Sequence, residues 1–199
     1  MKKLYLIVAA ILLATGLSFA QVNVGGHAAL TFGTDWGDET SEDPWGLGFN
    51  AGVAAKLGLN NMIAVVPEVD VALRRLSDDD VTWSTWAIEI PVLARINVMP
   101  QLYLEVGPQI AFLLSSEIER DYGFGSQTVD LGSSEIDALN TFEFGIDAGV
   151  GFSVMPNLDV NFRFALGLTS IIDSKKMGAE SDEAVKNMQL QLGATYWFM

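Results

Sequence analysis

The chain has 199 residues, and 25 acidic side chains against 11 lysines and arginines give it a formal charge of −14. Such an acidic chain is unsuited to nucleic acid, because neutralising phosphates needs a basic surface, and the absence of cysteine excludes disulfides and thiolate metal centres. Yet the mean hydropathy is +0.30, so the apolar residues must face something other than water, with the acids held apart from them.

Lys2 and Lys3 precede an apolar run over residues 4–17, and Ser18-Phe19-Ala20 then places small residues at the −3 and −1 positions of a cleavage site. This order predicts a secretory signal peptide over residues 1–20, with Gln21 as the first mature residue and one domain over 21–199. The apolar run is short for a membrane-spanning helix.

From Gln21 onward the hydrophobic period is two, the period of strands with one apolar and one polar face. The first strand is expected over 21–34, with Val22, Val24, Ala28, Leu30 and Phe32 on one parity. An acidic loop over 35–45 follows, then a second strand over 46–59 in which Leu47, Phe49, Ala51 and Val53 oppose Gly48, Asn50, Gly52 and Lys56. Asn60-Asn61 makes a tight turn, since Asn tolerates positive φ.

The third strand, 62–76, sets Val65, Val69 and Val71 against Glu68, Asp70 and Arg74, and a loop over 77–80 leads to the fourth. The fourth, 81–98, sets Ile88, Ile90 and Val92 against Glu89 and Arg95. Met99-Pro100 turns the chain into the fifth strand, 101–116, where Leu104 and Val106 oppose Glu105. A long polar, Gly-rich loop is expected over 117–138.

The sixth strand, 139–154, sets Phe142, Phe144 and Ile146 against Glu143 and Asp147. After the turn Met155-Pro156-Asn157, the seventh strand, 158–172, sets Val160, Phe162 and Phe164 against Asp159 and Arg163. A charged loop, 173–186, precedes the eighth strand, 187–198, in which Leu190, Leu192, Ala194, Tyr196 and Phe198 alternate with Gln189, Gln191, Gly193 and Thr195. The pattern V-M-P-polar-L occurs at 98–102 and again at 154–158, which supports this segmentation. Three tight turns alternating with four longer polar loops describe an antiparallel up-and-down meander of eight strands.

The charges separate cleanly along this meander. Eighteen of the 25 acids fall in the four loops, and the other seven, Glu68, Asp70, Glu89, Glu105, Glu143, Asp147 and Asp159, share the polar parity of their strands. Lys56, Arg74, Arg95 and Arg163 share it too, and Arg75 alone among the strand bases takes the apolar parity, near a loop where it could snorkel. An arginine or lysine on a lipid-facing site costs about 2–4 kcal/mol at the bilayer midplane, and this segregation is what such a cost produces. A soluble barrel would put the apolar face inside. Three features reverse that here: both signs of charge and many glycines on the polar face, four bulky rings (Phe142, Phe144, Phe162, Phe164) on the apolar face, and aromatics at the strand ends. Trp36, Trp45, Trp83 and Trp86 at the loop end, with Tyr196 and Phe198 at the turn end, are placed like two interfacial girdles.

Gln191, Gly193, Tyr196 and Phe198 follow the order polar-x-Gly-x-x-aromatic-x-aromatic. This resembles the C-terminal signal by which the assembly machinery recognises outer-membrane barrels, with the departure that Met199 follows the final aromatic. Over residues 21–198 the chain resembles the small outer-membrane β-barrel family of the OmpA/OmpX type. The resemblance implies an all-β, eight-stranded transmembrane barrel in a bacterial outer membrane, in contact with outer-membrane lipids, lipopolysaccharide and the barrel-assembly machinery. It also implies a monomer without cofactor or metal.

Two readings of the polar face stand side by side. Lys56, Glu68, Asp70, Arg74, Glu89, Arg95, Glu105, Glu143, Asp147, Asp159 and Arg163 form either an ion-pair network that plugs the lumen or the lining of a narrow, cation-preferring, porin-like path. An eight-stranded interior has room for side chains and little else, which favours the plug. No catalytic residue is assigned. His27, the single histidine, has no nucleophile or acid beside it in sequence, and neither G-x-S-x-G nor a His-x-Ser pair occurs, so a lipid-modifying enzyme is the weakest reading. Asp78-Asp79-Asp80 lacks the glycine and terminal glutamate of an EF-hand loop and reads as a solvated acidic loop.

Overall fold

The structure is a computed structural model and describes residues 21–36, 45–78, 81–121, 126–130, 142–169 and 186–198. The expected leader at 1–20 and most of the loop acids lie outside these residues, as do Asp79 and Asp80.

Among the described residues there are nine strands: β1 (Gln21–Trp36), β2 (Trp45–Gly58), β3 (Ile63–Asp78), β4 (Val81–Asn97), β5 (Leu102–Asp121), β6 (Ser126–Asp130), β7 (Phe142–Met155), β8 (Leu158–Gly167) and β9 (Lys186–Trp197). All pairings are antiparallel. Going round from β1, the order is β2, β3, β4, β5, β7, β8 and β9, and β9 pairs back with β1, so eight strands close a barrel without a free edge. The meander expected from the alternation is the one observed.

The strands run further than their patterning indicates. The stretch read as a loop from 117 is strand through Asp121, and β6 pairs with that extension from Glu117↔Asp130 to Asp121↔Ser126. Likewise, β3 and β4 stay paired to Asp78↔Val81, so Ser77 and Asp78 of the expected loop over 77–80 belong to β3. Beyond the apolar belt, alternation carries no signal, because both faces meet water, and backbone pairing continues without it.

Every described turn of two to four residues lies at one end of the barrel. There Asn60 caps its own turn by accepting hydrogen bonds from the Met62 and Ile63 amides, both at 2.8 Å.

The apolar parity faces outward. Val53, Leu104, Phe144 and Phe162 are exposed, whereas the seven acids Glu68, Asp70, Glu89, Glu105, Glu143, Asp147 and Asp159 are buried. On the outer surface Leu73 sits in register with Phe49 and Trp86, whose rings meet edge to face at 6.0 Å. Trp45 and Trp86 at the long-loop end, and Tyr196 and Phe198 at the turn end, lie on the outward row. Trp83 does not. It pairs with Leu76, on the same row as Arg74 and Glu89, and so belongs to the mouth of the lumen rather than to an outer girdle. The side chain of Trp36 lies outside the description.

Candidate functional site

The interior is built in layers, and β3 serves as a ruler. Val66, Glu68, Asp70, Ala72 and Arg74 follow one another inward from the turn end to the loop end. At the mouth, Arg74 donates to Glu89 Oε1 at 2.8 and 3.0 Å and to Glu143 Oε2 at 2.6 Å, bridging β3, β4 and β7.

At mid-height Arg163 of β8 spans the lumen. Its two terminal nitrogens donate to both oxygens of Glu68 at 2.6 and 2.7 Å, and its Nε donates to Glu105 Oε1. In the eight-strand ring β3 lies four strands from β8 in either direction, so the Arg163–Glu68 pair crosses the full width of the barrel. A bidentate guanidinium–carboxylate pair of this kind is strong and directional. Arg163 is 1 % exposed.

Closer to the turns, Arg95 donates to Asp159 Oδ2 at 2.6 Å and lies 3.6 Å from Glu105 Oε2. Asp159 also accepts from Ser153 Oγ at 2.7 Å and from the Trp197 indole at 2.8 Å. The Arg95 guanidinium stacks over the Tyr103 ring with 3.7 Å from Cζ to the centroid. Gly151 makes the space for that ring, since a Cβ there would lie 2.0 Å from Tyr103 Cζ. Beside these side chains, Ala54, Val66, Leu93 and Trp197 form a buried apolar cluster toward the turn end.

Three members of the expected network, Lys56, Asp147 and Asp70, stand apart from it. Lys56 is in no ion pair among the described residues; its Nζ sits 4.5 Å from the Trp197 ring centroid, a cation–π contact. Asp147 meets an amide where a guanidinium was expected: with its amide turned to satisfy both groups, Gln109 donates to the two Asp147 oxygens at 2.7 and 2.9 Å. The other eight form the arginine–carboxylate pairs described above, and Asp70 faces His27. His27 is buried, with Nδ1 3.5 Å from Asp70 Oδ1 and 3.9 Å from Glu68 Oε2. Its sequence neighbours supply no acid, but the register of β1, β2 and β3 brings it two.

The sequence reading missed Val66, Leu93, Tyr103 and Trp197. Each occupies the polar parity, beside Glu68, Arg95, Glu105 and Thr195 respectively, and that position was the available signal. In the closing strand Gln191 and Gly193 point inward and are buried, while Tyr196 and Phe198 are outward with ring centroids 5.8 Å apart. A side chain at Gly193 would strike Asn161 Oδ1, 2.4 Å from the position of its Cβ.

A closed barrel with charges inside and apolar side chains outside needs lipid around it, and the sequence profile of one family matches residues 11–173: the outer membrane protein beta-barrel domain. The chain belongs to this family. As an outer membrane protein beta-barrel it resides in the bacterial outer membrane, and its outward belt is the lipid-facing surface. Solved structures of similar shape include Ail, the attachment invasion locus protein of Yersinia pestis. It is 14 % identical with a TM-score of 0.51, and the match covers 89 % of this chain and 99 % of Ail. A second is Neisserial surface protein A, 12 % identical with a TM-score of 0.54, covering 88 % of this chain and 98 % of that one. Ail has also been solved in complex with the heparin analogue sucrose octasulfate, a match at 15 % identity and TM-score 0.51 that covers 89 % of this chain and 99 % of that one. At these identities the likeness is one of fold. Among the curated proteins none matches the chain.

Proposed function

We propose that this outer-membrane barrel acts through its surface, as a structural or surface-interacting protein, and that its lumen passes no solutes. The observation that carries this reading is Arg163 of β8, buried and tied across the lumen to Glu68 on the opposite wall and to Glu105 of β5. The apolar layer of Val66, Leu93 and Trp197 supports it, because ions would have to shed water to cross those side chains. The purified barrel in planar lipid bilayers is expected to show no steady open level. A stable, ohmic conductance on the scale of a general porin would overturn the reading. A second reading, a narrow cation-preferring path, draws on the surplus of seven buried carboxylates over Lys56, Arg74, Arg95 and Arg163. Small, cation-selective steps in the same recording would select it.

The working surface in this proposal is the long-loop end, which faces outside the cell, with the tight turns in the periplasm, since outer-membrane barrels keep periplasmic turns short. By sequence, 18 acids crowd the predicted loops. That crown disfavours polyanions such as the sulfated sugar bound by Ail and suits basic partners, or lipopolysaccharide joined through divalent cations. The lipid-facing belt meets outer-membrane lipids, and the closing strand with Tyr196 and Phe198 is the segment offered to the assembly machinery. No catalysis is assigned, because His27 is 3 % exposed and out of reach of a lipid substrate. Protease added to intact cells is expected to cut within residues 122–141. Cleavage only after the outer membrane is permeabilised would reverse the topology.

A further inference from the structure

We propose that His27, Asp70 and Glu68 form a binding site for one divalent transition-metal ion, Zn²⁺ in the first instance, inside the barrel.

The three residues come together through strand register. His27 of β1 pairs with Gly52 of β2, and Gly52 pairs with Asp70 of β3, so the imidazole and the carboxylate face the lumen from either side of a residue with no side chain. A Cβ at position 52 would lie 2.5 Å from Asp70 Oδ1, so any larger residue would push this carboxylate away. Glu68 follows Asp70 on the same inward row. One ligand atom from each residue lies within 4.8 Å of the others, and all three residues are buried.

Direct hydrogen bonding does not account for this arrangement. His27 Nδ1 and Asp70 Oδ1 are both buried and neither has a hydrogen-bond partner, although they stand 3.5 Å apart. Unsatisfied buried polar atoms are costly, and a buried carboxylate without a cation more so. An ion between them would satisfy both. Zinc bonds of about 2.0–2.2 Å to nitrogen and oxygen set tetrahedral ligand atoms roughly 3.3–3.6 Å apart. The His27–Asp70 separation of 3.5 Å lies in that range, and Glu68 Oε2, 3.9 Å from Nδ1, needs to close by only a few tenths of an ångström. Glu68 Oε2 also accepts from Arg163, but a carboxylate oxygen has a second lone pair for the metal, and the guanidinium then orients the ligand. On the far side of the ring, His27 Nε2 and Asn161 Oδ1, both without partners, face the gap left by Gly193, where a second group can fix the imidazole. A dication also offsets two of the three unbalanced negative charges left when seven buried carboxylates meet four basic side chains. Imidazole with carboxylates selects a transition metal over calcium or magnesium, which take all-oxygen sites.

The test uses the purified full chain folded in detergent in the presence of Zn²⁺ or Co²⁺ and then dialysed against metal-free buffer. About one metal per folded barrel is expected by elemental analysis, and the Co²⁺ form should show visible d–d absorption. His27→Ala and Asp70→Asn should lose this metal, whereas Asp147→Asn, which removes a different buried acid, should retain it. Folding of each variant is checked by its heat-modifiable gel mobility. Because His27 is the single histidine, its ring nitrogens give one unambiguous pair of nitrogen-15 resonances, which Zn²⁺ should shift in the unmutated protein even if a variant fails to fold. A barrel that holds no metal, unmoved His27 resonances, or equal binding by His27→Ala (metal on the loop acids alone) would each overturn the site.

Discussion

Replacing Arg163 with methionine is expected to destabilise the barrel by about 3–5 kcal/mol, the range for removing one partner of a buried ion pair. The loss comes less from the pair itself than from what remains. Glu68 and Glu105 would keep their charges in a lumen where each is at most 2 % exposed, and among the described residues no other guanidinium donates to Glu68. The triple variant Arg163→Met, Glu68→Gln, Glu105→Gln should recover much of the loss, because neutral amides need no counter-charge. Urea unfolding in lipid vesicles, followed by tryptophan fluorescence, measures both. If the single variant costs under 1 kcal/mol, or the triple variant is no better than the single, the Arg163 layer does not hold the barrel together in this way.

Trp197→Ala is expected to cost a similar amount, about 3–5 kcal/mol, the usual penalty for truncating a buried tryptophan. The indole packs with Ala54, Val66 and Leu93, donates to Asp159 Oδ2 and lies under Lys56. Trp197→Phe separates these roles. It keeps most of the apolar contact but removes the N–H, so the cost should fall to about 1–3 kcal/mol, that of a buried acceptor losing one donor. The same unfolding assay reads the difference. Equal losses in the two variants would show that the hydrogen bond to Asp159, and not the apolar layer, is what position 197 supplies.

Much of the architecture was legible in the chain itself. In a half-buried strand, neighbouring side chains face opposite ways, so the alternation at Phe142–Asp147 or Leu190–Thr195 states which residues share a face without any knowledge of the neighbours. A lipid environment makes a misplaced charge expensive, and this is why the segregation of charge in the strands is clean enough to read. The same rule placed Trp83 inward, on the row of Glu89 and Arg95, and grouping it with the other tryptophans by proximity to a loop overrode that signal.

What alternation could not supply is which inward side chain meets which. Arg163 and Glu68 are 95 positions apart, and they pair because closure of β9 onto β1 puts their strands on opposite walls at one height. His27 meets Asp70 because Gly52 stands between them in register, a relation carried by three strands at once. Polarity also failed as a label for the turn end, where Val66, Leu93 and Trp197 turn inward with the charged rows. A narrow lumen excludes water as effectively as a protein core does, so apolar side chains can fill it as readily as ion pairs. The periodicity of this sequence determined the strands, their two faces and the environment each face requires. The closed tertiary structure decided the partners, because strand register and barrel diameter set the distances across the lumen and exist only once the ring is complete.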